Sequence, residues 1–496
     1  MILKKQILGG LGIYFIIRLF SYFYSPGTPL YGANPVNWII SGGILLTAIY
    51  FLLKKDARGW LIIAAEIILG GAGGFLEIKG VSLRTLLLVF SLAIFFYQQN
   101  PSPCHSPCRG GIKGGVLYFI SCILVIAGIS AIRGYYFGHD TKQIISDTIP
   151  YLFFLYYFPL KQLLSSEKFR QTSLSMLIAA IIGNFIFIYF TLAGFSSEIF
   201  VLQDSYYHWF RDVAGGKITD YGTGFFRILL NEQLLLVPLF LWMFYGVIAR
   251  KPPAVRGADA AIPLSTLQYN GIASAFGLAM TGTLLAVLTI NITRIYMVAL
   301  AVGVLFLFSR QNWKRWLAYS AGALVFFIVA FTLTHLAATN GKSFGWEYLG
   351  LRLQSITMPQ TENSSLSRLL LLPKILEKIK LHPLLGNGLG DTVTVFSPIF
   401  KANITTPHFD WGYLEIIDEL GIVGLITWIL VIGYLILKIK QNRGLFASVV
   451  ALLIINITSP VLFHVLGVIL IALFLSTSQA NPLPTNQATS PVAMGK

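Results

Sequence analysis

From about residue 7 to residue 477 the chain is a succession of apolar runs, most of them about 17 to 22 residues long, joined by polar links. This spacing constrains the fold most, because about 20 helical residues rising 1.5 Å each cross the roughly 30 Å hydrocarbon of a bilayer. The runs lack the ten-residue alternation of apolar and polar positions that a membrane β-barrel needs. Helices also satisfy every backbone N–H and C=O inside lipid. The expectation is therefore an all-α, polytopic integral membrane protein. Composition agrees, with 55% of residues hydrophobic and 11% charged, against about a quarter charged in soluble domains.

Taken singly, the runs predict spans at about 7–24, 36–53, 59–77, 82–98, 115–132, 148–160, 173–195, 228–249, 269–290, 292–308, 316–335, 418–437, 445–459 and 461–477. That is about fourteen, or about twelve if the shorter runs are re-entrant or interfacial. Lys4 and Lys5 precede the first run as in a signal peptide. No small-residue cleavage site follows it and more spans do, so it reads as an uncleaved first helix. The domain scheme is transmembrane helices over 1–335, a long extracytoplasmic loop with short helices over 336–417, C-terminal spans over 418–477 and a disordered tail over 478–496.

The net charge of +16 raises the question of nucleic acid. The cations, however, are scattered between spans rather than gathered in one domain, which argues against such a partner. A cytoplasmic N-terminus places Lys54, Lys55, Arg58, Arg109, Lys113, Lys161, Lys168, Arg170, Arg250 and Lys251 inside. Arg310, Lys314, Arg315, Lys438, Lys440 and Arg443 continue the alternation, as the positive-inside rule requires. The opposite side nevertheless keeps Arg133, Lys142, Arg211, Lys217, Arg227, Arg294, Arg352, Arg368, Lys374, Lys378, Lys380 and Lys401. Cations held on the side that topology disfavours point to an anionic ligand there. Cys104, His105 and Cys108 share a Pro/Gly-rich loop. One close cysteine pair without a second, with Cys122 the remaining cysteine, reads as a loop rather than a metal site, and no cofactor is expected.

Two outer loops are long. The first, about 196–227, mixes aromatic and polar residues. The second contains LSRLLLLPKILEKIKL, whose period predicts a surface helix bent near Pro373, with Lys374, Glu377 and Lys378 on its polar face. His382 and Pro383 end it. Gly386, Gly388 and Gly390 follow at alternate positions, either as a plain tight turn or as a place where backbone approaches a ligand.

These pieces, in this order, resemble the O-antigen ligase and O-antigen polymerase superfamily of bacterial envelope polysaccharide assembly. The resemblance is carried by TGFFR ending at Arg227, TINITRIY around Arg294, SLSR ending at Arg368, HPLLGNGLGD ending at Asp391, and PHFDWGYLEIIDELGIVG closing at Gly424. It covers about residues 220–440. It implies a membrane glycosyltransferase of the lipopolysaccharide-building type in the bacterial inner membrane. Such an enzyme moves a glycan from an undecaprenyl pyrophosphate carrier to an acceptor hydroxyl at the outer face, without a metal. Its partners would be the carrier-linked donor, a glycan or lipid acceptor and membrane lipids. Ligase and polymerase share the donor, and both stay open. A lipid-linked oligosaccharide flippase is the rival of another class; it predicts internal repeats and ionisable groups deep in the spans, of which the sequence has few.

A departing pyrophosphate accumulates negative charge, which always-charged, bidentate arginine suits. Arg227 and Arg294 are the first candidates, although interfacial snorkelling alone would also place cations there. Arg368, Arg211, Lys374, Lys378, Gly388 and Trp411 are further candidates for holding donor or glycan. The base for the acceptor hydroxyl is His408 or Asp410. The family pattern sets a histidine eleven residues before Gly421, where this chain has Asp410, with His408 two residues earlier. Glu232 pairs with Arg227 or within its own helix; Arg18 and Glu66 lie within spans and read equally as functional groups or as structural partners. Glu415, Asp418 and Glu419 read as caps of the next helix. Tyr206, Tyr207, Trp209, Trp346 and Trp411 stack on sugars or form an interfacial belt.

Overall fold

A computed structural model describes residues 2–25, 35–71, 73–99, 114–249, 272–358, 363–397, 401–407 and 409–480. The Cys104–His105–Cys108 loop, Arg109, Lys113, Arg250, Lys251, His408 and residues 481–496 lie outside these. In chain order come α1 (Ile2–Tyr24), α2 (Pro35–Leu53), α3 (Ala57–Leu69), β1 (Glu77–Ile78), β2 (Val81–Ser82), α4 (Leu83–Gln99), α5 (Gly114–Tyr136), α6 (Thr141–Leu152), α7 (Tyr157–Leu163) and α8 (Glu167–Ser196). Next are α9 (Ser205–Asp212), β3 (Gly216–Asp220), β4 (Phe226–Leu230), α10 (Leu236–Ile248), α11 (Ile272–Asn291), α12 (Arg294–Phe306) and α13 (Trp313–Ala338). The chain ends with α14 (Trp346–Thr357), α15 (Asn363–Leu381), β5 (Val393–Ser397), β6 (Ala402–Thr406), α16 (Gly412–Ile439), α17 (Arg443–Ile455) and α18 (Val465–Ala480).

Seven helical segments are long and apolar enough to cross a membrane: α1, α2, α5, α8, α10 with the turn before it, α13 and α16. Five shorter apolar helices, α4, α11, α12, α17 and α18, pack among them. The protein is a polytopic membrane protein. Two predicted spans are shortened by their own sequence. The run over 59–77 leaves the helix at Leu69 because GGAGG follows, with Gly71 and Gly73 at φ 57° and 85°. The run over 148–160 is divided between α6 and α7, with Pro150 inside the last turn of α6. Among the described residues the two long loops also contain antiparallel hairpins, β3–β4 and β5–β6, which the helical pattern did not predict.

Small residues bring the helices close. A Cβ on Gly10 would lie 2.8 Å from the Ala179 side chain, and one on Gly183 would lie 2.6 Å from the Tyr14 ring, so α1 and α8 pack backbone to backbone. Deep in this contact Arg18 pairs with Glu232 at 2.6 Å and donates to Leu69 O at 3.1 Å. Asn184 Nδ2 donates to the same Glu232 oxygen at 3.2 Å. Glu232 thus pairs with Arg18, not with Arg227 as one sequence alternative had it. Glu66 pairs with Arg84 at 2.8 Å. Both arginines are buried and both glutamates are partly so, and in lipid each charge is tolerable because the other is present.

Helix α16 is broken at Gly421, where φ is 72° and ψ is −175°. The broken turn exchanges hydrogen bonds with the segment after α15. Asn387 N donates to Asp418 O at 2.6 Å and Gly388 N to Glu419 O at 3.1 Å. In return Ile422 N donates to Pro383 O at 2.9 Å and Val423 N to Leu384 O at 3.2 Å. Buried backbone groups released by the break are therefore satisfied. Glycine is required at 421 for two reasons: its φ, and a Cβ there would stand 2.1 Å from Leu384 O. Gly421→Ala is expected to cost at least about 2 kcal/mol of stability. Gly433→Ala, on the same helix with open space around it, should stay within about 0.5 kcal/mol of the parent. Thermal unfolding of the two variants in detergent checks this; equal stability would refute the role given to Gly421.

Candidate active site

Arg227 lies in β4, not at the head of a helical span, which is where the apolar run after it suggested. The period-two pattern wins here because Ile218, Ile228 and Leu230 are buried together on one face of the hairpin. In the register Thr219 faces Arg227 and Lys217 faces Leu229. Lys217 and Arg227 are thus diagonal neighbours on the other face, within reach of long side chains.

The Arg227 guanidinium is buried, 8% exposed. Its Nε donates to Asn291 O at 2.6 Å, and a terminal nitrogen donates to Thr293 Oγ1 at 2.8 Å. Both acceptors belong to the turn between α11 and α12. That turn carries Ile292 at φ 45°, an unfavourable conformation for a β-branched residue. It is held by Arg227, by a hydrogen bond of the Asn291 amide to Gln233, and by Thr293 N donating to Asn291 Oδ1 at 3.1 Å. The next residue, Arg294, opens α12 and donates to Ser355 Oγ on α14 at 2.5 Å.

Tyr348, Arg352 and Ser355 share one face of α14 by helical spacing. Arg352 is 7% exposed, and its Nε donates to the Tyr221 hydroxyl at 2.9 Å. The Tyr348 hydroxyl bonds Thr223 in the same β3–β4 turn. One helix therefore grips the hairpin at one end and Arg294 near the other. From the C-terminal side, Arg368 Nε stands 3.7 Å from Asp410 Oδ2 and a terminal nitrogen reaches Thr458 O at 3.4 Å. Trp411 Nε1 donates to Arg368 O at 3.2 Å. Asp410 takes φ 56°, a left-handed conformation that aspartate tolerates better than most residues.

These two groups meet at Lys217. Its side chain is exposed, yet burial of the site around it and the positive charges of Arg227, Arg368 and Arg352 hold its ammonium below the usual lysine range, with Asp410 opposing. Lys217, Arg227, Arg294, Arg352 and Arg368 thus come from four separate stretches to one region, and Asp410 is the carboxylate that Lys217 feels among the described residues. Lys217 and Arg352 carried no assigned role in the sequence. The signals that pick them out are the two-residue offset from Thr219 opposite Arg227 and the Tyr348–Arg352–Ser355 spacing.

Other candidates stand elsewhere. Arg211 lies on α9, exposed, bonded to its neighbour Asp212 at 2.7 and 3.1 Å and to His208 Nδ1 at 3.4 Å. Lys374 is exposed and paired with Glu377 at 2.8 Å. Lys378 bonds the buried Asp391 and donates to Thr392 O at 2.7 Å. Gly388, at φ 97°, approaches protein: a Cβ there would lie 2.3 Å from Gly134 N of α5. Gly386 and Gly390 abut Glu419 and Ile144 in the same way. Asp418 and Glu419 are fully buried rather than solvated caps, and Asn387 Nδ2 donates to Asp418 Oδ1 at 2.8 Å. Glu415 does reach back to the backbone N–H of Phe409, at 3.3 Å. Trp209 and Tyr206 are packing residues: Trp209 is 2% exposed and donates to Ser21 Oγ at 3.0 Å, and Tyr206 stacks on Phe200 at 4.2 Å.

A helical membrane protein with guanidinium groups gathered beyond its spans is a class defined by geometry alone. The sequence comparison narrows it: residues 271–429, about a third of the chain, match the family model of the O-antigen ligases (Wzy_C). That stretch runs from α11 into α16 and includes Arg294, Arg352, Arg368 and Asp410; Lys217 and Arg227 precede it. No curated protein matches the chain.

Removing the Arg227 charge should raise the Lys217 pKa, because one of the groups opposing its protonation is lost. In Arg227→Gln, acylation of Lys217, followed by mass spectrometry against pH, should slow near pH 8.5 and shift its midpoint upward. An unchanged profile would separate the two side chains.

Proposed function

We propose that this protein transfers a glycan from an undecaprenyl pyrophosphate carrier to an acceptor hydroxyl at the outer face of the bacterial inner membrane, with its N-terminus cytoplasmic. The observation that carries the reading is the convergence of Arg227, Arg294, Arg352, Arg368 and Lys217 beyond the ends of the spans. In the transfer, the bond from the sugar C1 to the pyrophosphate oxygen breaks and a bond from C1 to the acceptor oxygen forms. The pyrophosphate leaves with the electron pair, and its growing charge is met by fixed guanidinium groups. The acceptor proton passes to a carboxylate or imidazole, Asp410 or His408. Asp410 stands beside Arg368, so a base there would lie next to the leaving-group site. The family match supports lipid-linked glycan transfer as the class of reaction. The same donor site serves ligation or polymerisation, which differ in the acceptor.

The deciding assay uses purified protein in detergent with EDTA, carrier-linked glycan and candidate acceptors. Transfer is expected without added metal. One mass increment on a non-carrier acceptor makes the enzyme a ligase, and a ladder of carrier-linked chains makes it a polymerase. Movement of the lipid-linked glycan between leaflets with no product would overturn the transferase reading. Arg294→Ala should lower transfer at least about 100-fold while the folded protein remains in the membrane; parent-like transfer would sink the pyrophosphate assignment. Of His408→Ala and Asp410→Ala, the one that removes the base should lose about 100-fold or more. If both retain full activity, neither is the base.

A further inference from the structure

A cavity of ≈1550 Å³ lies among α1, α3, α7, α8, α10, α11, α16, α17 and α18, with its mouth at the end of the bundle remote from the arginine cluster. Small-molecule pockets commonly hold about 300–1,000 Å³, so this space calls for a larger occupant. Its walls are apolar, with Leu174, Leu177, Leu239, Leu470, Leu473 and Phe474 facing in. Its rim holds Arg170, Lys438 and Lys440, together with Glu167, which pairs with Arg170. Glu167, Lys438 and Lys440 are exposed, whereas Tyr14 and Asn184 at the far end are buried. The cavity therefore has a wet, net-positive mouth and a closed inner end.

We propose that this cavity is a binding site for an anionic phospholipid of the leaflet at that end, with its acyl chains inside and its phosphate among Arg170, Lys438 and Lys440. Depth supports this occupant. From Arg170 to Ala180 along α8 is about 15 Å, half of the roughly 30 Å hydrocarbon, so a single-leaflet chain ends near Ala180. Beyond that point the lining becomes polar: Asn184 and Glu232 are bonded to each other, and Glu232 to Arg18. Asn184 Oδ1 and Glu232 Oε2 keep acceptor capacity there, with no hydrogen-bond partner among the described residues, which suits a little water past the chain ends. Charge selects the headgroup. Three cations against Glu167 leave a positive mouth that a zwitterionic lipid would neutralise less well. Lys438 and Lys440 also stand at the C-terminal end of α16, where the helix dipole favours cations. Two guanidinium or ammonium bonds to one phosphate would add to that preference.

The site is independent of the glycan-transfer reading and is tested without an assay of activity. The full chain is reconstituted with equimolar phosphatidylglycerol and phosphatidylcholine of one chain length, washed in detergent, and examined by native mass spectrometry. The expected result is one retained phosphatidylglycerol, favoured at least fivefold over phosphatidylcholine. Arg170→Gln/Lys438→Gln/Lys440→Gln should abolish the preference, and Ala180→Trp should lower retention of both lipids several-fold. Leu177→Cys, with Cys104, Cys108 and Cys122 replaced by serine, should be protected from a membrane-impermeant maleimide in phosphatidylglycerol vesicles. Equal retention of the two lipids by the parent would overturn the proposal, as would unchanged phosphatidylglycerol binding in both variants. Rapid maleimide labelling at position 177 would also overturn it, by making the cavity an aqueous vestibule.

Discussion

The exchange of backbone hydrogen bonds between the broken turn of α16 and the segment after α15 holds the C-terminal half of this protein together. A helix interrupted inside a membrane protein leaves N–H and C=O groups that lipid cannot satisfy. Here Asn387, Gly388, Pro383 and Leu384 supply the missing partners, and Ser130 of α5 adds a hydroxyl bond to Glu419 O at 2.6 Å. Leu389 N then donates to Ser130 O at 3.1 Å, so α5, α16 and the glycine segment close into one unit. Any shift of that segment would move α15, and with it Arg368, relative to Asp410.

The candidate site depends on that unit for one of its two sides. The other side is a hairpin gripped by a helix: Tyr221 and Thr223 on the β3–β4 turn, Arg352 and Tyr348 on α14. Between them Arg227 holds the α11–α12 turn through its carbonyl and threonine acceptors. Arg227 and Arg352 are thereby oriented through neutral acceptors, the Asn291 carbonyl, Thr293 and the Tyr221 hydroxyl, while Arg368 faces the Asp410 carboxylate. Burial first, and then the charges of Arg227, Arg368 and Arg352 against Asp410, hold the Lys217 ammonium below the usual lysine range.

The helical membrane architecture was legible because hydrophobic run length is set by bilayer thickness, and the order of the arginine-bearing motifs was legible because those motifs are local. What the sequence did not disclose were long-range choices. Glu232 lies close in sequence to Arg227 but pairs with Arg18, whose partner no local pattern identifies. The glycines at 386, 388 and 390 fit a ligand-binding turn equally well; only the packed structure reveals α5, α6 and α16 against their missing side chains. The β3–β4 hairpin was hidden by an apolar run that continues into α10, so a strand and a helix read as one span. Lys378 looked available on a helix face and is instead committed to Asp391.

The Arg18–Glu232 pair has a consequence for how the chain is made. The two residues are 214 positions apart. At about 5–20 residues per second of synthesis, that separation lasts about 10–40 s. During that interval the first helix carries a guanidinium without its final counter-charge, and must rest against water, headgroups or the insertion machinery. The ion pair is therefore a late event of synthesis: the Arg18 guanidinium can meet its counter-charge only after the ribosome has delivered Glu232.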